Sequence, residues 1–302
     1  MPFDAADSPA IVVEGLVKDY KKIRAVDGLD FAIPTGVIAG FLGPNGAGKT
    51  TTFRALLGLT RITEGRIEVL GHPVPTELQA VTKQVGAIVE EPGLLKSLSG
   101  RINLRVAADT LGFGHERIEE MLDFVGLSDH ANRKVDEYSK GMRQRLALAA
   151  AMLGEPRLLL LDEPLDGLDP AGQRAFRSRL RDLADTGATV VVSSHDLADI
   201  EALADYVVVI DHGRLVAQGT LESLLDGGAT TVVVSDPARA VAVLASSGIS
   251  AVDNVGRLMV SEEDGSRIIQ VLGQAGIYPS EVTPARSTLE AVFLGMTGTE
   301  ER

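Results

Sequence analysis

The chain has 302 residues, 45% hydrophobic and 24% charged, enough to bury a core in one large domain or two modest ones. Its net charge of -13 argues against a protein that works by gripping nucleic acid, and the lack of cysteine excludes a disulfide framework, a thiolate metal site and a cysteine nucleophile. The opening MPFDAADSPA is acidic without the apolar run of a signal peptide, and no apolar run approaches the roughly 20 residues that span a bilayer. Work at a membrane would need another chain as anchor.

Residues 1–9 read as a tail. IVVEGLV, VDGLDFAIP and GVIAGFLG then read as strands, with a turn at Pro34-Thr35-Gly36. Residues 49–59 read as a helix, GRIEVLGHPV as a strand and turn, and residues 76–84 and 100–130 as mixed and mainly helical. RLALAAAML reads as a helix stopped at Gly154, with Pro156 just beyond. RLLLLDEP and ATVVVSSH are continuous apolar strands on either side of a polar helix at 171–185. YVVVI turns at Asp211-His212-Gly213 and returns as RLVAQG, a hairpin. This alternation predicts a largely parallel sheet covered on both faces. After Asp226-Gly227-Gly228 the order becomes β-α-β-β-α-β, the split-βαβ or ferredoxin-like arrangement, followed by a last helix, STLEAVFLGM.

GPNGAGKT, Gly43 to Thr50, matches G-x-x-x-x-G-K-[ST] between a strand and a helix, the setting that motif needs. Glycines let the N–H groups of Asn45, Gly46, Ala47 and Gly48 turn inward around a polyphosphate, and the helix start at Lys49, Thr50 and Thr51 adds a positive field. Lys49 can reach the β- and γ-phosphates as a point charge, and Thr50 can ligate Mg²⁺. The plainer reading is a glycine turn joining a strand to a helix.

LLLLDEP places Asp162 and Glu163 at the end of a buried strand, where open α/β sheets bind their ligands. One acid suits Mg²⁺ and the next suits a general base for attacking water, unless both only cap the turn at Pro164. His195 ends ATVVVSSH at a corresponding strand tip and could meet the γ-phosphate and the water. The plainer alternative has Ser193, Ser194 and Asp196 capping the next helix. YSKGM, Tyr138 to Met142, opens RLALAAAML with no acid in its first turn, which suits an anion. Arg143 and Arg145 beyond it read as solvated charge.

With these motifs the chain resembles the nucleotide-binding subunit of ATP-binding cassette (ABC) transporters over about residues 10–225. GPNGAGKT matches the phosphate loop, LLLLDEP the Mg²⁺ and base strand, LDGLD (with Leu168 and Asp169) the D-loop, and His195 the switch histidine. Tyr20 matches the aromatic residue that stacks on adenine, with Val26 nearby. YSKGM falls where the family has Leu-Ser-Gly-Gly-Gln: Tyr138 replaces the Leu, Lys140 interrupts the Gly pair and Met142 replaces the Gln. The resemblance implies that Ser139, Lys140 and Gly141 face a γ-phosphate on a second subunit in a head-to-tail dimer. It places Glu90 where the Q-loop Gln would end VGAIV, making Glu90 a carboxylate candidate for Mg²⁺. The Glu-x-Pro of Glu90 to Pro92, YS-x-GM and the ending STLEAVFLGMTG together resemble a bacterial antibiotic and peptide-resistance exporter group.

The fold so implied is α/β: a P-loop NTPase core of mainly parallel sheet, with an antiparallel β subdomain and a helical subdomain at about 88–155. A C-terminal α+β ferredoxin-like domain follows at 226–302. The implied activity is ATP hydrolysis with Mg²⁺, driving a separate membrane permease from the cytoplasmic face of the membrane, with no nucleic-acid partner. Two other readings stay open: a soluble ABC ATPase acting on nucleic acid or ribosomes, and a regulatory ATP switch.

Overall fold

The computed structural model describes residues 9–21, 23–89, 93–254, 256–262, 264–286, 288–290 and 292–293. The chain divides into two compact units, Met1–Leu221 and Glu222–Arg302.

In the first unit, β1 (Ile11–Tyr20) and β2 (Ile23–Ile33) form a hairpin, and β3 (Ile38–Leu42) leads into α1 (Lys49–Leu56). β4 (Glu64–Val69) and β5 (His72–Val74) follow, then α2 (Leu78–Val81) and β6 (Val85–Ile88). Three helices come next: α3 (Gly100–Leu111), α4 (Ile118–Phe124) and α5 (Lys140–Met152). β7 (Leu158–Asp162), α6 (Pro170–Ala184), β8 (Thr189–Ser194), α7 (Leu197–Glu201), β9 (Tyr206–Asp211) and β10 (Arg214–Thr220) complete it.

The strands sort into an antiparallel sheet of order β2-β1-β4-β5 and a sheet of order β10-β9-β3-β8-β7-β6. In the second, β6, β7, β8, β3 and β9 run parallel and β10 closes one edge antiparallel. Every residue of β3, β7 and β8 is buried. That is why LLLL and VVV show no polar alternation: both faces of a covered parallel sheet are interior. The register pairs Leu42 with Ser194 and Asp162 with Ser193, so the carboxyl ends of the three central strands finish side by side.

β9 and β10 pair Asp211 with Arg214 across His212 and Gly213, whose φ values of 46° and 76° are those of a tight two-residue hairpin turn. The two sheets and α1 meet at three rings. Phe41 on β3 lies 5.3 Å from Phe31 on β2 and 5.6 Å from Phe53 on α1, centroid to centroid, all in tilted pairs. Phe41 is fully buried, so Phe41→Ala removes the ring common to both contacts. We expect a loss of about 3–5 kcal/mol in urea unfolding followed by circular dichroism; a loss below 1 kcal/mol would rule out this junction as a stabilising centre.

In the second unit, α8 (Leu221–Leu225) leads to β11 (Asp226–Val233), α9 (Pro237–Ser246), β12 (Ala251–Asn254), β13 (Arg257–Val260), α10 (Gly265–Gln274) and β14 (Glu281–Arg286). The sheet order is β12-β13-β11-β14, with every neighbouring pair antiparallel. Leu258 and Val260 point inward onto Leu244, Ile268 and Leu272, while Arg257 and Met259 point outward. Asp236 and Asp264 cap α9 and α10 by accepting from the N–H groups of Arg239 and Ser266. Of the expected last helix, residues 289–290 and 292–293 are helical and the rest lies outside the described residues.

Candidate active site

The phosphate-loop segment, residues 43–50, joins β3 to α1. α1 begins at Gly48 with no side-chain cap and no acid in its first turn, so its leading N–H groups are available to an anion. Gly48 has a φ of 105°, and a Cβ there would lie 2.6 Å from the Ala25 carbonyl oxygen. Asn45 and Gly46 are exposed on the rim, Ala47 is buried beneath, and Thr51 is half-buried on the helix. The loop is held from behind: Gly213 N–H donates to Ala47 O at 3.0 Å, and Asp27 N–H donates to Gly213 O at 2.9 Å. Gly48→Ala should weaken ATP binding at least tenfold in a fluorescence titration, because the residue is barred by both conformation and space. Unchanged affinity would show that the loop does not grip phosphate in this shape.

Lys49 is buried, and its Nζ donates to Gly43 O at 2.7 Å and Pro44 O at 3.3 Å. The same ammonium lies 3.3 Å from Glu163 Oε1. Thr50 Oγ1 donates to Asp162 Oδ2 at 2.7 Å. His195 Nδ1 lies 3.3 Å from Glu163 Oε1, so one carboxylate oxygen stands between the loop lysine and the strand-tip histidine. Glu163 has a φ of 46°, a left-handed conformation that costs a residue with a Cβ of order 1–3 kcal/mol and recurs at functional sites.

Ser193, a candidate cap for the next helix with Ser194 and Asp196, does not cap it. Asp196 alone caps α7, accepting from Ala198 and Asp199 N–H. Ser194 Oγ accepts from Asp196 N–H at 2.9 Å. Ser193, fully buried, donates to Asp162 Oδ1 and accepts from Glu163 N–H at 2.9 Å. The signal that could have found it is a hydroxyl at the end of an otherwise apolar, buried strand.

Asp199 carries a raised pKa, first from burial and then from Asp196, with Arg177 and His195 opposing.

Tyr20 is partly exposed, with Lys18 Nζ 4.5 Å above its ring centroid. Its hydroxyl lies 3.4 Å from Thr60 Oγ1, and that contact is the main cause of a lowered pKa. Partial burial opposes the shift, while Lys18, Arg54 and Thr51 add to it. Val26 is fully buried in the main core, so it backs the loop and presents no face to a ligand. Glu90 lies outside the described residues.

Ser139 is the N-cap of α5, its Oγ accepting from Met142 N–H at 3.2 Å. The following Lys140 Nζ reaches Asp166 Oδ2 at 3.3 Å, and Gly141 faces Leu168. Ser139, Lys140, Gly141, Leu168 and Asp169 thus share one cleft, and Asp169 caps α6 by accepting from Gly172 N–H at 3.2 Å. Tyr138 is buried, its hydroxyl donating to His130 O at 2.7 Å, and burial raises its pKa. Arg143 and Arg145 are not the solvated charges expected of them: Arg143 donates to Tyr138 O, and Arg145 donates to Val125 O at 3.0 Å.

The ABC transporter family profile matches residues 26–166. Over 308 residues the chain is 39% identical to the daunorubicin resistance ATP-binding protein DrrA3 of Streptomyces coeruleorubidus, covering 97% of each. The chain belongs to the ABC transporter ATP-binding proteins. It is 41% identical over 213 residues to the bacitracin transport ATP-binding protein BcrA of Bacillus licheniformis, covering 70% of each. Among solved structures, an ATP-binding subunit of an ABC transporter superposes with a TM-score of 0.65 at 30% identity, covering 71% of this chain and 91% of that one. This ABC subunit is an ATPase, and its first unit has the P-loop NTPase fold of the family. No helix among the described residues is long and apolar enough to cross a membrane.

Proposed function

We propose that this subunit hydrolyses ATP at the carboxyl ends of β3, β7 and β8 and so drives export of a drug, antibiotic or peptide through a separate membrane permease. The observation that carries the catalytic reading is the placement of Glu163 Oε1 at 3.3 Å from both Lys49 Nζ and His195 Nδ1. The relatives named for daunorubicin resistance and bacitracin transport support the exporter reading.

In this reading the N–H groups of residues 45–50 cradle the phosphates, Lys49 supplies a point charge, and Tyr20 stacks on the adenine. Thr50 and Asp162 fit Mg²⁺, which takes one or two carboxylate or hydroxyl oxygens and otherwise phosphate and water. When bound, that ion neutralises charge on the phosphate oxygens; Glu90 would add a third protein oxygen. Glu163 accepts the proton of the attacking water, and His195 orients it and the γ-phosphate. Ser139, Lys140 and Gly141, beside Leu168 and Asp169, face the ATP of a second subunit in a head-to-tail dimer. Each ATP is then buried between two chains.

An apolar groove of about 490 Å³ lined by Ala87, Ile88, Leu95, Val106, Phe113 and Ala151 supports a protein partner for the helical region at about 88–155. We read 10–225 as the nucleotide-binding domain, peripheral on the cytoplasmic face of the membrane through its permease. We read 226–302 as a ferredoxin-like accessory domain, whose β12-β13-β11-β14 order supports that assignment. Affinity purification of the tagged chain from detergent-solubilised membranes of its host, followed by mass spectrometry, tests the partner. A polytopic membrane protein is expected in stoichiometric amount. Recovery of ribosomal proteins or nucleic acid in its place would favour the soluble ABC ATPase.

A further inference from the structure

We infer that Ser193 is a positioning residue for ATP hydrolysis: one buried hydroxyl that fixes both acids at the end of β7. The inference rests on the roles proposed above for Asp162 and Glu163. β8 itself does not ask for a hydroxyl here. Its preceding residues are Val190, Val191 and Val192, all buried, and a further apolar side chain would continue that run. A hydroxyl taken out of water is costly unless bonded, so its presence is accounted for by what it bonds. Asp162 is an acceptor and a peptide N–H is a donor, which leaves one arrangement. Ser193 Oγ–H donates to Asp162 Oδ1, and the same oxygen accepts from Glu163 N–H at 2.9 Å.

Two consequences follow. With Oδ1 held from β8, the Asp162 carboxylate is locked in rotation, and Oδ2 is the oxygen turned to Thr50. The acid therefore reaches a metal ion through a chosen oxygen, in a fixed orientation. With its N–H held, the Glu163 peptide stays in the left-handed conformation that sends the carboxylate between Lys49 and His195. Neither acid touches the other's task, yet both depend on the same oxygen atom.

The test uses the full chain and the variants Ser193→Ala, Ser193→Thr and Glu163→Gln. Affinity for a fluorescent ATP analogue is measured in EDTA, and turnover is measured against Mg²⁺ concentration. Ser193→Ala should lower kcat and raise the Mg²⁺ needed for half-maximal turnover, each by about 10–100-fold. Its affinity in EDTA should stay at the wild-type level, because the phosphate loop is untouched. Ser193→Thr, which keeps the hydroxyl, should restore most of the loss. Wild-type kcat and Mg²⁺ dependence in Ser193→Ala would overturn the inference. So would a parallel fall in EDTA affinity, which would mark Ser193 as merely structural. If Glu163→Gln turns over normally, the general-base reading itself fails; if it is inactive while Ser193→Ala is not, only the role of Ser193 fails.

Discussion

Replacing Glu163 by Gln is expected to cut kcat for ATP hydrolysis about 10²-fold or more while leaving ATP affinity near wild type. Gln keeps the shape of the side chain at the end of β7 and the backbone bond to Ser193, but it no longer accepts a proton from water. The carboxylate oxygen it replaces is the one shared by Lys49 and His195. In the proposed dimer, which closes on ATP and reopens after hydrolysis, the variant should also accumulate as an ATP-bound dimer in size-exclusion chromatography. Turnover at the wild-type rate would remove Glu163 from the mechanism.

The second large effect belongs to the start of α5. Ser139→Arg should reduce turnover about 10²-fold or more, on the scale of losing a preorganised phosphate donor, with the ATP affinity of the single chain unchanged. Ser139 lies at the tip of a helix that no acid caps, and its hydroxyl accepts from Met142 N–H. The substitution loses that cap, worth about 1 kcal/mol, and puts a long cation where the partner's phosphate would approach. The two measurements separate cleanly. Equilibrium binding to one chain reads the phosphate loop, and turnover reads the composite site. Normal turnover would show that YSKGM does not face another subunit's nucleotide.

Much of this site was legible in the sequence because its parts are local. GPNGAGKT needs only the strand before it and the helix after it, and both form where the apolar runs place them. LLLL and VVV announced strands covered on both faces, and Asp162, Glu163 and His195 followed from being at or just past their ends. What the sequence concealed depends on register between segments far apart in the chain. Ser193 is separated from Asp162 by 31 positions, and only the β7–β8 pairing makes it their common partner. Arg143 and Arg145 look like solvated charge along a helix, but the carbonyls of Tyr138 and Val125 lie within their reach. Val26 does lie beside the nucleotide loop, but its full burial in the core is set by packing that the sequence alone does not display.

The ion pair from Lys140 to Asp166 changes what can be asked of the YSKGM stretch. Lys140 lies across Gly167, where a Cβ would come within 2.2 Å of its Nζ, while Gly141 abuts Leu168. The lysine that interrupts the glycine pair is therefore engaged within its own chain. It links the head of α5 to the segment before α6 through one solvent-exposed ion pair. The ammonium is thus partly neutralised before any nucleotide arrives, and a phosphate that met Ser139 and Gly141 would have to compete with Asp166 for it.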